Sequence, residues 1–359
     1  MLAKHIELLP LYKKYIADTK SGKRFMQNNK KVSAKTLKLQ GYIYNHLVNF
    51  SVSKEFDLKI LPANKLNKKT FETQKKYWKN FFRQFCNYLY DDKKCSDNYV
   101  GMIINNLKSF FGYLEREHNL HINGYYKNFK VQRPHPAIVV LTPERLHTLI
   151  YDTDFNNSLT TAEQRIKDIF IIGCVTALRF SDLMALRKSN IIIANNDYYI
   201  TNISQKTSTV TKVKLPPFAS SIIARNKGRT QLLFSPISLF NFNKHLKSIG
   251  QKAGFTEPVF KSRKKRGQET AMYKNNTKKE HYRFCDLMSS HMMRRTAITT
   301  MLTLGVEESV ARKISGHAPG SSEFYRYVKY SQDYLNTQTD DYFSKLTDIK
   351  QPEKEAVFA

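Results

Sequence analysis

The sequence predicts a mainly helical protein in two domains, the first all-helical and the second mixed α/β with a small β-sheet. Three observations carry this expectation. Apolar residues recur at helical spacing up to about Phe129, a proline pair interrupts the chain at Pro134 and Pro136, and short strand-like segments follow between Asn190 and Leu215. A chain of 359 residues, 41% of them hydrophobic, is long enough to bury two cores.

In the first domain, expected over residues 1–130, Trp78, Phe81, Phe82, Phe85 and Leu89 lie on one face of a helix from Tyr77 to Tyr90, with Lys79 and Arg83 between them. A second helix runs from Tyr99 to Arg116, with Ile103, Leu107, Phe110, Phe111 and Leu114 as its stripe. Earlier helices are expected from Met1 to Thr19 and from Ser33 to Phe50. Proline restricts itself and the residue before it, so residues 131–140 form the linker. The second domain, 141–347, opens on a helix capped by Thr142 with Pro143 at its first position. Ile166 to Leu186 is helix-rich. Tyr198 to Ile200 and Val210 to Leu215 are strands joined by a turn over Ser204 to Thr209, and Pro216 and Pro217 close the run. Arg263 to Arg283 is a basic loop or weak hairpin. Helices follow after Ser290 and near Val306 to Ser315, then a mostly helical stretch. Residues 348–359 are expected to be a flexible tail.

The chain carries 59 Lys plus Arg against 30 Asp plus Glu, a formal charge of +29. Such an excess repels itself unless a polyanion offsets it. Double-stranded DNA is the leading candidate, because each neutralised phosphate releases counterions. Charge alone does not choose among DNA, RNA and anionic lipid. The 23 Phe and 21 Tyr interleaved with the basic residues exclude a disordered basic tail. Cys86, Cys95, Cys174 and Cys285 have neither zinc-ligand spacing nor a disulfide pattern. No signal peptide or membrane span is legible, so a soluble cytoplasmic protein is expected.

Cleaving a phosphodiester requires an in-line nucleophile, charge neutralisation at the non-bridging oxygens, and proton transfer to and from the reacting oxygens. Arginine suits the second task, because its planar fork pairs bidentately with phosphate. His291 and Arg294 are three apart, on one face if helical. Arg179 follows the apolar run Ile169 to Leu178, which places a charge at the end of buried structure. Asp182 either orients Arg179 or is a surface acid. Taken singly, each of these residues also reads as an ordinary salt-bridge or core residue.

Taken in order, the motifs resemble the tyrosine recombinases, or phage-type integrases. Thr176-Ala177-Leu178-Arg179-Phe180-Ser181-Asp182-Leu183 is similar to that family's Thr-Gly-Leu-Arg-x-Ser-Glu-Leu segment, with Ala for Gly and Asp for Glu. Gln205-Lys206-Thr207 fits its hairpin-turn lysine, His291 and Arg294 its His-x-x-Arg box, and Ile314-Ser315-Gly316-His317 its Leu-Gly-His box with Ser315 left over. The family tyrosine usually comes nine residues after that histidine. Here that position is Arg326, flanked by Tyr325 and Tyr327. The surrounding residues favour Tyr327, with Tyr325 the rival and Tyr330 a weaker one. The wording of this last box resembles Bacteroidetes-type mobile-element integrases.

The resemblance implies a helical core-binding domain followed by a catalytic domain, and a catalytic set of Arg179, Lys206, His291, Arg294, His317 and Tyr327. Lys212 and Lys214 compete with Lys206. Tyr327 would attack the scissile phosphate to give a 3′-phosphotyrosine, with strand exchange through a Holliday junction. No cofactor and no metal are implied. The implied partners are double-stranded DNA with a specific recombination site, a homo-tetramer on synapsed DNA from a monomer when free, and accessory DNA-bending proteins. Lys68, Lys69, Lys75, Lys76 and the run Arg263-Lys264-Lys265-Arg266 are candidate phosphate contacts or simply solvated lysines and arginines. The alternatives are a non-catalytic architectural DNA-binding protein and a DNA-nicking enzyme of the type IB topoisomerase or telomere-resolvase kind.

Overall fold

A computed structural model describes residues 5–24, 31–63, 67–135, 137–204, 209–226 and 231–347. The expected tail, 348–359, lies outside the described residues. Contacts divide the chain into two units, Met1–Pro136 with Ser262–Met272, and Ala137–Lys261 with Tyr273–Ala359. The architecture is mostly helical with small antiparallel sheets.

The first unit is built on α1 (Leu8–Lys20), α2 (Ala34–Ser53), α3 (Lys68–Asn87) and α4 (Asp97–Glu117). A strand pair, β1 (Ile6–Glu7) and β2 (Lys59–Ile60), ties the chain start to the α2–α3 connection. Its core is mainly aromatic. Trp78 packs on Phe111 with ring centroids 5.1 Å apart, and Tyr12 meets Phe110 edge-on at 4.8 Å. The helix expected from Tyr77 begins earlier, at an Asn67 cap that accepts from the Thr70 amide. In its first two turns only Gln74 is buried and the single apolar residue, Phe71, is exposed, so no apolar stripe announces them.

The strands Lys261–Lys265 and Gln268–Met272 form a hairpin that belongs mostly to this unit. Arg266 and Gly267 make its tip, both at positive φ (53° and 77°), as a two-residue turn of this hand requires. Asp97, buried to 1% exposure, accepts from both tip amides, Arg266 at 2.7 Å and Gly267 at 2.9 Å. It also accepts from the Tyr90 hydroxyl at 2.9 Å. One buried carboxylate thus accounts for the grouping of a distant segment with this unit. Nothing in the composition of Arg263 to Arg283 signals it.

The second unit starts with α5 (Pro143–Tyr151), where Thr142 caps and Pro143 leads, and continues through α6 (Thr153–Ser158). Helix α7 (Thr161–Thr176) is buried almost all round. Its capping box pairs the Thr160 hydroxyl with the Glu163 amide and Glu163 with the Thr160 amide. The short α8 (Phe180–Met184) follows. Three antiparallel strands come next, β3 (Ile191–Ala194), β4 (Asp197–Ile203) and β5 (Val210–Lys214), with Ile200 opposite Val213 on the buried face. The Ser204 amide donates to the Thr209 carbonyl at 2.9 Å and closes the β4–β5 turn. Helices α9 (Pro217–Arg225), α10 (Leu239–Lys252), α11 (Phe284–Leu287), α12 (Ser290–Thr303), α13 (Glu308–Ser315) and α14 (Ser322–Thr347) complete the unit. Among the described residues no helix is long and apolar enough to cross a membrane, and the four cysteines are free.

Asp97→Ala would remove all three hydrogen bonds at the hairpin tip. The expected cost is about 2 kcal/mol in urea unfolding, the scale of a buried polar network losing one member. Amide exchange at Arg266 and Gly267 should speed up at the same time. Unchanged exchange at those two amides would show that the hairpin does not depend on Asp97.

Candidate active site

The site is assembled in the second unit by a close approach of α7 and α12. Gly173 of α7 allows it, since a Cβ there would come within 2.4 Å of the Met293 sulfur and 2.9 Å of its Cβ. One turn later α7 ends at Ala177, which adopts a left-handed conformation (φ 54°, ψ 16°). L-residues other than glycine reach this region at a cost of about 1 kcal/mol. The Ala177 methyl is fully buried among Ala297, Ile298, Phe324 and Tyr327. The reversal turns the Ala177 carbonyl toward α12, and Arg294 Nη1 donates to it at 2.9 Å. It also delivers Arg179 in extended conformation to the N-terminal end of α8.

Arg294 is 4% exposed. Its Nη2 lies 3.0 Å from Nε2 and 3.2 Å from Nδ1 of His317. His317 follows Gly316, whose positive φ (65°) ends α13. The His317 amide returns to the Arg312 carbonyl at 3.1 Å, a helix-terminating reversal that a side chain at 316 would strain. The His317 ring packs on Phe324 and Tyr327 of α14, with centroids 5.6 and 6.1 Å away. Tyr327 is 4% exposed, whereas Tyr325 is 50% exposed and turned off the site. Ser331 donates to the Tyr327 carbonyl at 2.9 Å and holds that turn of α14.

Arg179 Nη1 donates to Ser204 Oγ at 2.9 Å, and Ser204 in turn donates to Asp182 at 3.3 Å. Asp182 is 1% exposed and stands 3.9 Å from Arg179. It is therefore a buried acid behind the arginine and not a surface residue. Ser204 directly follows β4, so this contact holds the end of that strand to Arg179. Lys206, between β4 and β5, lies outside the described residues. Its competitors are engaged elsewhere, with Lys212 4.6 Å from the Tyr199 ring centroid and Lys214 paired with Asp197.

Burial and two guanidiniums set the electrostatics of the site. Arg294 donates to a carbonyl and an imidazole, neither of them negative. Burial, with Arg179 nearby, pulls its pKa down to about 10, so it still carries its charge at neutral pH. Burial and the two guanidiniums push His317 down to about 3. Desolvation and the charges of Arg295, Arg294 and Arg179 push His291 down to about 4, although Glu323 works the other way. Both imidazoles are neutral at pH 7. His291, at the second position of α12, is the more exposed of the two rings. Among the described residues no group of three or more His, Cys, Asp and Glu is placed to hold a metal ion.

The candidate phosphate contacts belong to the first unit. Lys68, Lys69 and Lys76 are exposed on the first turns of α3, and Lys75 pairs with Glu72 at 3.2 Å. Arg263 and Lys264 are exposed on the hairpin, and Lys265 is half-buried. Arg266 turns back onto protein. It donates to Asp91 at 2.6 Å and Asn87 at 3.0 Å, with its guanidinium 4.8 Å from the Tyr90 ring centroid. Its guanidinium is thus engaged in holding the hairpin. Sequence reasoning did not single out Ser204 or the Ala177 carbonyl, since a lone serine or backbone oxygen carries no pattern.

The two depressed histidines give a pH signature. Unfolding returns each imidazole to an ordinary pKa near ~6.5. Between that value and about 4 the unfolded chain binds more protons than the native one. Stability should therefore be full above pH 6.5 and fall as the pH drops through this window. Urea unfolding at pH 7 and pH 5 should show a smaller loss in His317→Asn than in wild type. An NMR titration placing His317 near its ordinary pKa would contradict the assignment.

The phage integrase family model matches residues 140–333. No curated protein matches the chain. Among solved structures, the XerH site-specific recombinase bound to palindromic difH substrate, in a post-cleavage complex, aligns with TM-score 0.58 at 14% identity over 92% of this chain and 95% of that one. Lambda integrase (residues 75–356) bound to DNA aligns with TM-score 0.57 at 12% identity over 89% and 95%. The Tn1549 transposon integrase in complex with a circular intermediate DNA aligns with TM-score 0.53 at 15% identity over 90% and 95%. The chain belongs to the phage integrase family and is a site-specific recombinase of the tyrosine class.

Proposed function

We propose that this recombinase cuts double-stranded DNA at a specific site with Tyr327 as nucleophile, and that Arg179 and Arg294 bind the scissile phosphate. The observation that carries the reading is the meeting of Arg294, His317 and Tyr327 around one buried point, with Arg179 held beside it by Ser204 and Asp182. Two guanidiniums and two neutral imidazoles match a phosphodiester, which is anionic and gains charge on its non-bridging oxygens as a fifth bond forms. Tyr327 Oη attacks phosphorus, and the P–O5′ bond breaks. The product is a 3′-phosphotyrosine and a free 5′-hydroxyl. Lys206 supplies the proton to the leaving oxygen. His291 handles the tyrosine proton, and His317 hydrogen-bonds the phosphate. The covalent link conserves the energy of the phosphodiester, so a 5′-hydroxyl from a partner strand restores the backbone without ATP.

Exchange between two sites needs four such centres, hence a homo-tetramer on synapsed DNA formed from monomers, with accessory DNA-bending proteins as further partners. The basic residues of the first unit, Lys68, Lys69, Lys75 and Lys76, with Arg263, Lys264 and Lys265 of the hairpin, contact phosphates. Their part is affinity and register and not base recognition. The strongly positive chain acts in the bacterial cytoplasm, on the nucleoid when bound, as an integrase of a mobile element.

The test is a pool of nicked suicide duplexes, in which the fragment released by cleavage cannot be rejoined. Wild type should accumulate a denaturation-resistant protein–DNA complex without ATP. Tyr327→Phe should form none, and Arg294→Ala should slow its formation by about 10²- to 10³-fold, the worth of one pre-placed charge donor. Tight DNA binding by wild type with no covalent complex would instead describe an architectural protein.

A further inference from the structure

We propose that Ser315 is a positioning residue that sets the tautomer of His317 in the DNA-free enzyme. Ser315, the residue that the comparison with Leu-Gly-His leaves over, is 3% exposed at the last position of α13. Its hydroxyl lies 2.8 Å from His317 Nδ1 and 3.2 Å from the Arg312 carbonyl.

The proton count settles the direction of each bond. A guanidinium N–H only donates. Arg294 Nη2 lies 3.0 Å from Nε2 and 3.2 Å from Nδ1 and so does not choose between them; the Ser315 hydroxyl, whose one proton reaches the Arg312 carbonyl, does. Nδ1 then carries the ring proton and donates to Ser315 Oγ. The Ser315 hydroxyl and both ring nitrogens of His317 each have a partner in this arrangement. An apolar side chain at 315 would leave Nδ1 without this partner and the ring without its anchor.

The same hydroxyl also serves the opposite tautomer. When Arg294 turns its N–H toward a phosphate, His317 must present a proton at Nε2 to join it. Ser315 then rotates to donate to Nδ1, and the ring proton moves from Nδ1 to Nε2 through solvent with no change in charge. The Arg312 carbonyl keeps the His317 backbone amide at 3.1 Å, so giving up the serine proton leaves it paired. A serine can be acceptor in the free enzyme and donor in the complex. A leucine can be neither.

The functional half of the proposal rests on reading His317 as a phosphate ligand, whereas the tautomer half does not. The measurement is ¹⁵N NMR of the full chain labelled at histidine, free of DNA near pH 7, with His317 assigned by its disappearance in His317→Gln. Wild type should show a protonated Nδ1 and an unprotonated Nε2. In Ser315→Ala the ratio of the Nδ1–H to the Nε2–H form should fall about fivefold or more, the worth of one hydrogen bond. Ser315→Thr, which keeps the hydroxyl, should restore it. On a nicked duplex that wild type cleaves, Ser315→Ala should be slower on the order of tenfold with duplex binding unchanged. An unchanged tautomer ratio in Ser315→Ala overturns the proposal. A changed ratio with unchanged cleavage overturns its functional half. Failure of wild type to cleave any duplex counts against Tyr327 chemistry, and the NMR ratio still decides the role of Ser315.

Discussion

The site depends on one buried guanidinium. A charge taken out of water must have its donors satisfied, or the helix that carries it would not pack. Arg294 meets this demand without a carboxylate, through the Ala177 carbonyl and the His317 ring. Each partner is available only because the chain reverses there, at Ala177 with φ 54° and at Gly316 with φ 65°. Gly173 in turn lets α12 come close enough for Arg294 to reach. The three motifs are therefore one structure. The end of α7, the middle of α12 and the end of α13 are each shaped by the requirement to solvate a single arginine.

Using neutral acceptors has a consequence. A carboxylate on Arg294 would have cancelled the charge that a phosphate needs to see. With a carbonyl and an imidazole the charge is not cancelled, and burial, with the nearby guanidiniums adding to it, lowers the pKa of both histidines. Arg179 is treated differently. Its acid, Asp182, stands at 3.9 Å, with Ser204 inserted between the two. The serine passes orientation from acid to arginine while the close ion pair is avoided. It also ties the arginine to the end of β4.

What could be read in the sequence follows from how physical signals are spaced. Helices with an apolar stripe, such as those around Phe81 and Phe110, announce themselves, because burial on one face imposes a 3.6-residue period. The first two turns of α3 have no such face and were not anticipated, although Asn67 caps them. The short pairing of Ile6 with Ile60 leaves no periodicity at all. Arginine and histidine motifs are legible because their chemistry needs fixed residue types at fixed spacings. Their second partners are not. Ser204, Ser315 and Asp97 act through single hydroxyls or one carboxylate, and each finds its partner only after folding. The Asp97 contacts with Arg266 and Gly267 join residues far apart in sequence, and nothing in the basic run Arg263 to Arg266 signals that one of its members also pairs with Asp91.

The choice between two tyrosines brings these arguments to one point. Burial and the His317 ring favour Tyr327, and exposure disfavours Tyr325. The most direct measurement is to digest the trapped covalent complex with protease and nuclease and identify the linked residue by mass spectrometry. A nucleotide remnant on Tyr327 is the result expected from a site built around Arg294. A remnant on Tyr325 would mean that α14 presents its exposed face to the phosphate, and that the buried cluster described above is not where the strand is cut.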